Sequence, residues 1–259
     1  MAYAFVQKGM GYAAGTNIAS CVTGTGTGSG QAALSNQTAG HCLVAMVGAT
    51  SAKATAGTIT LTDTLGNTWV PDTTGVNFQS GGGGGFVVPF YCLNCLGGAN
   101  QVTATDSAPT GNTILEITVV ELSGIATLSA YAGSKTSFTG VAVTTANAIS
   151  TGNFTPTGQP GALVGFSFGV SYTTTYPITE GTSPNAFTNR GFDTGPSGSP
   201  QTSSTPLGVL TEDARVTSTS ATSATATSTI ASNQGYFMYG ILLLEGAGSS
   251  NTATVAWIL

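Results

Sequence analysis

Charge is what this sequence has least of. Charged residues fill 6% of the 259 positions, against roughly 25% in an average soluble domain. Five are basic, Lys8, Lys53, Lys135, Arg190 and Arg215, and they are scattered. Phosphate neutralisation needs clustered Lys and Arg, so nucleic acid is excluded as a partner. The net charge of −5 comes from ten carboxylates spread along the chain. Histidine occurs once, as His41, which leaves general-base chemistry a single imidazole. Long apolar runs are missing too. No stretch approaches roughly 18 apolar residues, so no helix is expected to span a membrane. Met1–Gly15 has Lys8 in its middle and no apolar run of a signal peptide. Export by another route, a numbering that starts after processing, or departure inside a particle is the expectation.

Helix signals are equally scarce. Thr, Ser, Asn, Gln and Gly must fill the exposed positions that Lys and Glu fill in helical proteins, and Thr suits strands. No window carries an apolar stripe of period 3.6. The 37 glycines, about twice the usual share of roughly 7%, and the 10 prolines mark many turns.

What is there is an alternation. Thr58–Val70 reads Thr-Ile-Thr-Leu-Thr-Asp-Thr-Leu-Gly-Asn-Thr-Trp-Val. Thr58, Thr60, Thr62 and Thr64 fall on one side of an extended chain, Ile59 and Leu61 on the other, and Gly66-Asn67 turns it. Cys42–Val47 is a near-continuous apolar run, which predicts a strand buried on both faces. Ala162–Val170 is a second such strand, and its Ala-Leu-Val matches Cys-Leu-Val of the first. The likeness suits a sandwich built from two related halves. In Thr113–Leu122, Ile117, Val119 and Glu121 share one face; Glu116, Thr118, Val120 and Leu122 share the other. Phe86–Leu93 is a strand whose Pro89 predicts an edge or a bulge. Gly81–Gly85 predicts a loop. The spacing of turns predicts an all-β protein, an antiparallel β-sandwich of jelly-roll type with roughly 12–15 short strands. Residues 1–245 are expected to form a single sandwich domain, and 246–259 a linker and C-terminal strand or tail.

The motifs with chemical meaning have plainer readings. Gly165-Phe166-Ser167-Phe168-Gly169 fits the Gly-x-Ser-x-Gly pattern, but that pattern needs a strand–turn–helix setting. Here it lies among alternating apolar residues, and His41 precedes it. His41 with Cys21, Cys42, Cys92 and Cys95 lacks the paired knuckle spacing of zinc sites. Glu116 and Glu121 face opposite ways, so they are poor partners for glycoside hydrolysis. Glu212-Asp213 reads as a solvated loop pair or half a calcium site. No catalytic residue, metal ligand or cofactor is therefore predicted. The four cysteines leave open a local disulfide between Cys92 and Cys95 or burial as small hydrophobes. Tyr172 and Tyr176, in a long polar segment, are the candidate glycan contacts. Thr252, Val255, Trp257 and Leu259 are the candidate assembly contacts, because an apolar tail can add a strand to a neighbour's edge.

Several stretches carry a likeness. Ala-Gly-His-Cys-Leu-Val-Ala-Met-Val, Thr-Ile-Thr-Leu-Thr-Asp-Thr-Leu-Gly-Asn-Thr-Trp, Phe-Tyr-Cys-Leu-Asn with Val-Thr-Ala-Thr, and Val-Val-Glu-Leu-Ser-Gly occur in that order. Over roughly residues 38–245 the chain resembles poorly characterised β-sandwich domains of bacteriophage structural and bacterial surface proteins. The resemblance implies a fold and a surface setting, and no catalytic residues. The expectation is a non-enzymatic structural protein, extracellular or on a virion, whose partners are copies of itself, other particle proteins or surface glycans. A carbohydrate-binding or adhesin module is the alternative, and a jelly-roll glycosidase or lyase the third.

Overall fold

The structure, a computed structural model, describes residues 2–26, 31–49, 58–71, 76–80, 83–125, 132–138, 147–151, 153, 160–170, 178–194, 207–217, 220–228 and 236–246. Among them the regular elements are all strands. The first half runs β1 (Ala4–Thr16), β2 (Ser20–Val22), β3 (Leu34–Gln37), β4 (Cys42–Ala49), β5 (Ile59–Asp63), β6 (Val70–Pro71), β7 (Val76–Ser80), β8 (Gly83–Cys92), β9 (Gly98–Asn100), β10 (Val102–Asp106) and β11 (Asn112–Ser123). The second runs β12 (Ala132–Phe138), β13 (Asn147–Ser150), β14 (Gly161–Val170), β15 (Ile178–Glu180), β16 (Thr188–Thr194), β17 (Leu207–Val216), β18 (Thr225–Ser228) and β19 (Tyr236–Leu244).

The two halves repeat one topology. In the first, the larger sheet has the order β1-β11-β4-β8, with β6 and β7 lying one after the other along β8; the smaller sheet is β2-β10-β5. In the second, the larger sheet is β12-β19-β14-β17-β16 and the smaller is β13-β18-β15. Strand by strand, β1 matches β12, β2 matches β13, β4 matches β14, β5 matches β15, and β6 with β7 matches β16. Likewise β8 matches β17, β10 matches β18 and β11 matches β19. The ladders are antiparallel throughout. Where the sequence predicts one sandwich over 1–245, the described residues form two sheet pairs in tandem, with β3 and β9 pairing as a further two-stranded sheet.

Side-chain alternation explains how the pairs stack. Cys42, Val44 and Met46 of β4 share one buried cluster with Ala162, Val164 and Phe166 of β14. Leu43, Ala45 and Val47, on the other face of β4, share a second with Ile59, Leu61, Val102 and Ala104 of the small sheet. Leu163, Leu210 and Met238 form a third with Ala224 and Ala226. Four layers follow: small sheet, large sheet, large sheet, small sheet. The continuous apolar runs of β4 and β14 are what a strand needs when both faces are covered. Polar groups tie the halves together as well. Tyr3 donates its hydroxyl proton to Asp213 at 3.1 Å, and Arg190 forks onto the same carboxylate at 2.7 and 2.9 Å. The guanidinium of Arg190 stands 4.4 Å from the Phe5 ring centre.

Some local expectations change. The first strand runs the 13 residues Ala4–Thr16, continuing through Gly9 and Gly11. A Cβ on Gly11 would run into the Val22 carbonyl, so glycine there permits a close approach of two chains. Gly83–Gly85 lie in β8, not in a loop, because Phe78–Ser80 pair with them and supply the ladder. Pro89 sits between the stretch of β8 paired with β7 and the stretch paired with β6, where a missing donor costs least. Beyond Gly246, the expected tail lies outside the described residues.

Phe166 is fully buried between the large sheets. Phe166→Ala is expected to lower unfolding free energy by about 3–5 kcal/mol in urea titrations. Gly11→Ala should cost about 1–3 kcal/mol through overpacking. A neutral result for both would mean that the large-sheet contact and the Gly11 approach are not as described.

Candidate functional site

A network of polar side chains joins loops of the first sheet pair. The network begins with Asp63, the last residue of β5. Its Oδ1 accepts the backbone N–H groups of Leu65 at 3.0 Å and Asn67 at 3.1 Å. Its Oδ2 accepts from Asn67 Nδ2 at 2.9 Å and from the Trp69 indole at 2.8 Å. An Asp that bonds the backbone two and four residues on makes a self-supporting turn, and Gly66 at φ +77° supplies the left-handed step. Asn67 Oδ1 then accepts the N–H of Leu96 at 2.7 Å, and Gln37 Nε2 donates to the Leu96 carbonyl. Asn100 Nδ2 donates to Gln37 Oε1 at 2.9 Å and Thr64 Oγ1 donates to Asn100 Oδ1 at 3.0 Å. The Asp-Thr-Leu-Gly-Asn-Thr-Trp motif is thus a clasp for three loops. Burial pushes the Asp63 carboxyl up, but the hydrogen bonds from Asn67, Trp69 and Asn100 together outweigh it and hold it below its ordinary value.

Beside this clasp lies a buried acid. Glu121 is 0% exposed on β11, and its Oε1 lies 2.6 Å from His41 Nδ1. With the carboxyl oxygen accepting, the ring proton at this contact lies on Nδ1. Thr38 N–H donates to the same oxygen at 2.9 Å, and Gln7 Nε2 donates to the other at 2.5 Å. Glu121 therefore holds β1, the turn before β4 and the imidazole at once. Glu121 and His41 are 80 residues apart in sequence, which is why sequence spacing did not pair them.

A shallow open cleft of about 370 Å³ borders the clasp. Asn67, Thr68, Asn94, Leu93 and Leu96 line it, with Cys92 at its wall. Its lining offers amides, a hydroxyl and apolar surface, with no charge. Cys92 and Cys95, considered for a local disulfide, are free thiols in this structure, as are Cys21 and Cys42. Burial pushes the Cys95 thiol up to about 12, and it donates to the Thr38 carbonyl at 3.2 Å. Such a thiol stays protonated at neutral pH and is a poor nucleophile. Among the described residues, no three of His, Cys, Asp or Glu gather as metal ligands.

Other sequence candidates resolve by position. Ser167 is buried mid-strand in β14, with no turn to expose its hydroxyl. Leu115, Ile117 and Val119 face the small sheet and Val120 and Leu122 the facing large sheet, as the alternation predicts. Glu212 and Asp213 are a correction: both are buried in β17, not solvated in a loop. The apolar neighbours that bury them come from strands distant in sequence. Tyr172, Tyr176, Thr252, Val255, Trp257 and Leu259 lie outside the described residues.

Two outcomes test this geometry. Asp63 is held below its ordinary 3.8, so its contribution is present above that pH and is lost as pH falls through the lower, folded value. Asp63→Asn should therefore be less stable than the parent at neutral pH, with the gap closing in acid-titrated melts. Glu121→Ala, which leaves three donors unanswered, should cost about 3–5 kcal/mol by denaturant titration. A gap that persists in acid, or a silent Glu121→Ala, would contradict these roles.

Set against known proteins, the chain matches no family model, no curated protein and no solved structure.

Proposed function

We propose that the protein is a non-enzymatic structural subunit that packs against copies of itself or other particle proteins. Its setting in this reading is a virion or cell surface, as a bacteriophage decoration, fibre or tail component or an extracellular fibre subunit. One observation carries the reading. The outermost sheets turn threonines, not charges, away from their cores. Thr60 and Thr62 on β5 pair with Thr105 and Thr103 on β10, and all four are exposed or half-buried. At the other end of the stack, Thr179 on β15 pairs with Thr227 on β18. Flat faces without charge lack the usual barrier to association, and one such face lies at each end of the four layers. Two distinct faces, one at each end, permit head-to-tail growth that need not close.

The jelly-roll label belongs to the same proposal. The order β1-β11-β4-β8 over β2-β10-β5, repeated in the second half, supports it. An eight-stranded jelly roll has this order when its fifth strand has crossed to the larger sheet. The resemblance to phage and bacterial surface sandwiches points the same way.

The uncharged cleft beside Asn67 and Asn94 favours a second reading, a module that binds a neutral glycan. The two readings separate in one set of measurements. Under the structural reading, sedimentation velocity shows oligomers that grow with concentration, and Thr60→Lys with Thr62→Lys shifts them toward monomer. A parent chain that stays monomeric at every concentration would sink it. Monomers that bind a glycan array, with binding lost in Asn94→Ala, would put the module in its place.

A further inference from the structure

The tandem repeat gives each position in one half a counterpart in the other, and Glu212 does not match its own. Gly165 of β14 pairs with Glu212 of β17, and the equivalent Ala45 of β4 pairs with Phe90 of β8. Phe90 is an ordinary member of the core between the small and large sheets. The fold accepts an aromatic ring at this place, so it does not require an acid there. Glu212 nonetheless occupies it at 0% exposure, between the second large sheet and its small sheet. Gly165 makes the room: a Cβ on it would lie 2.7 Å from Glu212 Oε1.

The surroundings offer this carboxyl little. Oε2 accepts the Gly181 N–H at 3.0 Å, and Oε1 has no hydrogen-bond partner. β14 brings Gly165 and Ser167, whose buried hydroxyl also has no partner. β16 brings Asn189, whose Nδ2 is given to Glu180 at 3.0 Å. β15 brings Glu180 itself, a second acid, and β18 brings the uncharged Thr225. On β17, Asp213 is taken by Arg190, and Arg215 is forked onto Glu245 at 2.5 and 2.9 Å. Both arginines of this half are thus committed to other carboxylates. Burial first, then the neighbouring Glu180 and Asp213, push its carboxyl up to about 8, against the Gly181 N–H, which pulls it down.

We propose that Glu212 is a protonation switch that holds the second small sheet onto its large sheet when neutral and releases it when ionised. The coupling runs through Gly181. It lies so close to Thr225 that a Cβ on it would run into the Thr225 carbonyl, and its own carbonyl accepts the Phe187 N–H at 3.0 Å. Phe187 is part of the core that seals the two sheets. An ionised carboxylate draws water to its unpartnered oxygen, and Gly181, Thr225 and Phe187 must move to admit it. The proton goes to solvent, and no other reactant is needed. The folded state holds the proton more tightly than the unfolded chain. Stability therefore falls as pH rises from the ordinary 4.5 toward the folded value near 8, and levels off above it.

The test is a series of thermal melts of the full chain from about pH 6 to about pH 9, with hydrogen exchange corrected for its intrinsic pH dependence. The parent chain should lose melting temperature across this range, and Glu212→Gln should lose much less. Exchange should quicken with pH in 178–187 and 225–228 while 102–106, in the first small sheet, is unchanged. Parallel melting profiles for parent and Glu212→Gln would overturn the proposal, as would equal quickening in both halves. Should the variant fail to fold, carbon-13 glutamate spectra of the parent decide the matter. A buried carboxyl titrating near 8 upholds the switch, and ordinary titration of every glutamate ends it.

Discussion

Val44 and Val164 lie in one buried cluster between two large sheets, and the remaining layers take their places from that contact. Each large sheet has a second face, and it too must be covered. A single sheet covered on one side would leave Leu43, Ala45 and Val47, or Leu163, in water. The small sheets answer that need with short strands and small residues, Ala104 on one side and Ala224 and Ala226 on the other. Burial of apolar area thus sets both the number of layers and their order.

A chain with so few charges must place them carefully, and most of those described lie inside or at seams. Arg190 and Asp213, with Tyr3 and Phe5, join the two halves. Glu121 draws three loops and strands together through His41, Thr38 and Gln7. Asp63 clasps a turn. Each of these acids accepts from several donors, which offsets the loss of water around a buried carboxyl group. Glu212 is different in kind: one donor, one empty oxygen and acidic neighbours. The repeat makes the difference visible, because Phe90 shows what the same fold position holds when only packing matters.

The outer surfaces complete the pattern. Threonine satisfies a strand's preference for β-branched side chains and gives water a hydroxyl, but it puts no charge between neighbouring molecules. A stack of four layers with such a face at each end is the physical content of the proposed structural reading. The cleft beside the Asp63 clasp is the other place where the surface offers hydrogen bonds without charge.

Much of the architecture could be read from alternation alone. Ile59 and Leu61 inward with Thr60 and Thr62 outward, the two-sided burial of Cys42–Val47, and the opposed faces of Glu116 and Glu121 all follow from the period of a strand. The likeness between Cys-Leu-Val and Ala-Leu-Val reads in the sequence as two related halves of one sandwich; in the structure these residues lie in equivalent strands of two sheet pairs. What sequence could not supply was any fact that depends on strands distant in the chain. Glycines at 83–85 entered a strand because Phe78–Ser80 pair with them. Glu212 became a buried acid because sheets from elsewhere closed over it. His41 met Glu121 because β4 and β11 are neighbours. Period and composition are local, and they determined that the chain is β-rich, what faces inward and where it turns. Pairing and layering are non-local, and only the tertiary structure decided which carboxyl oxygens found donors and which, as in Glu212, did not.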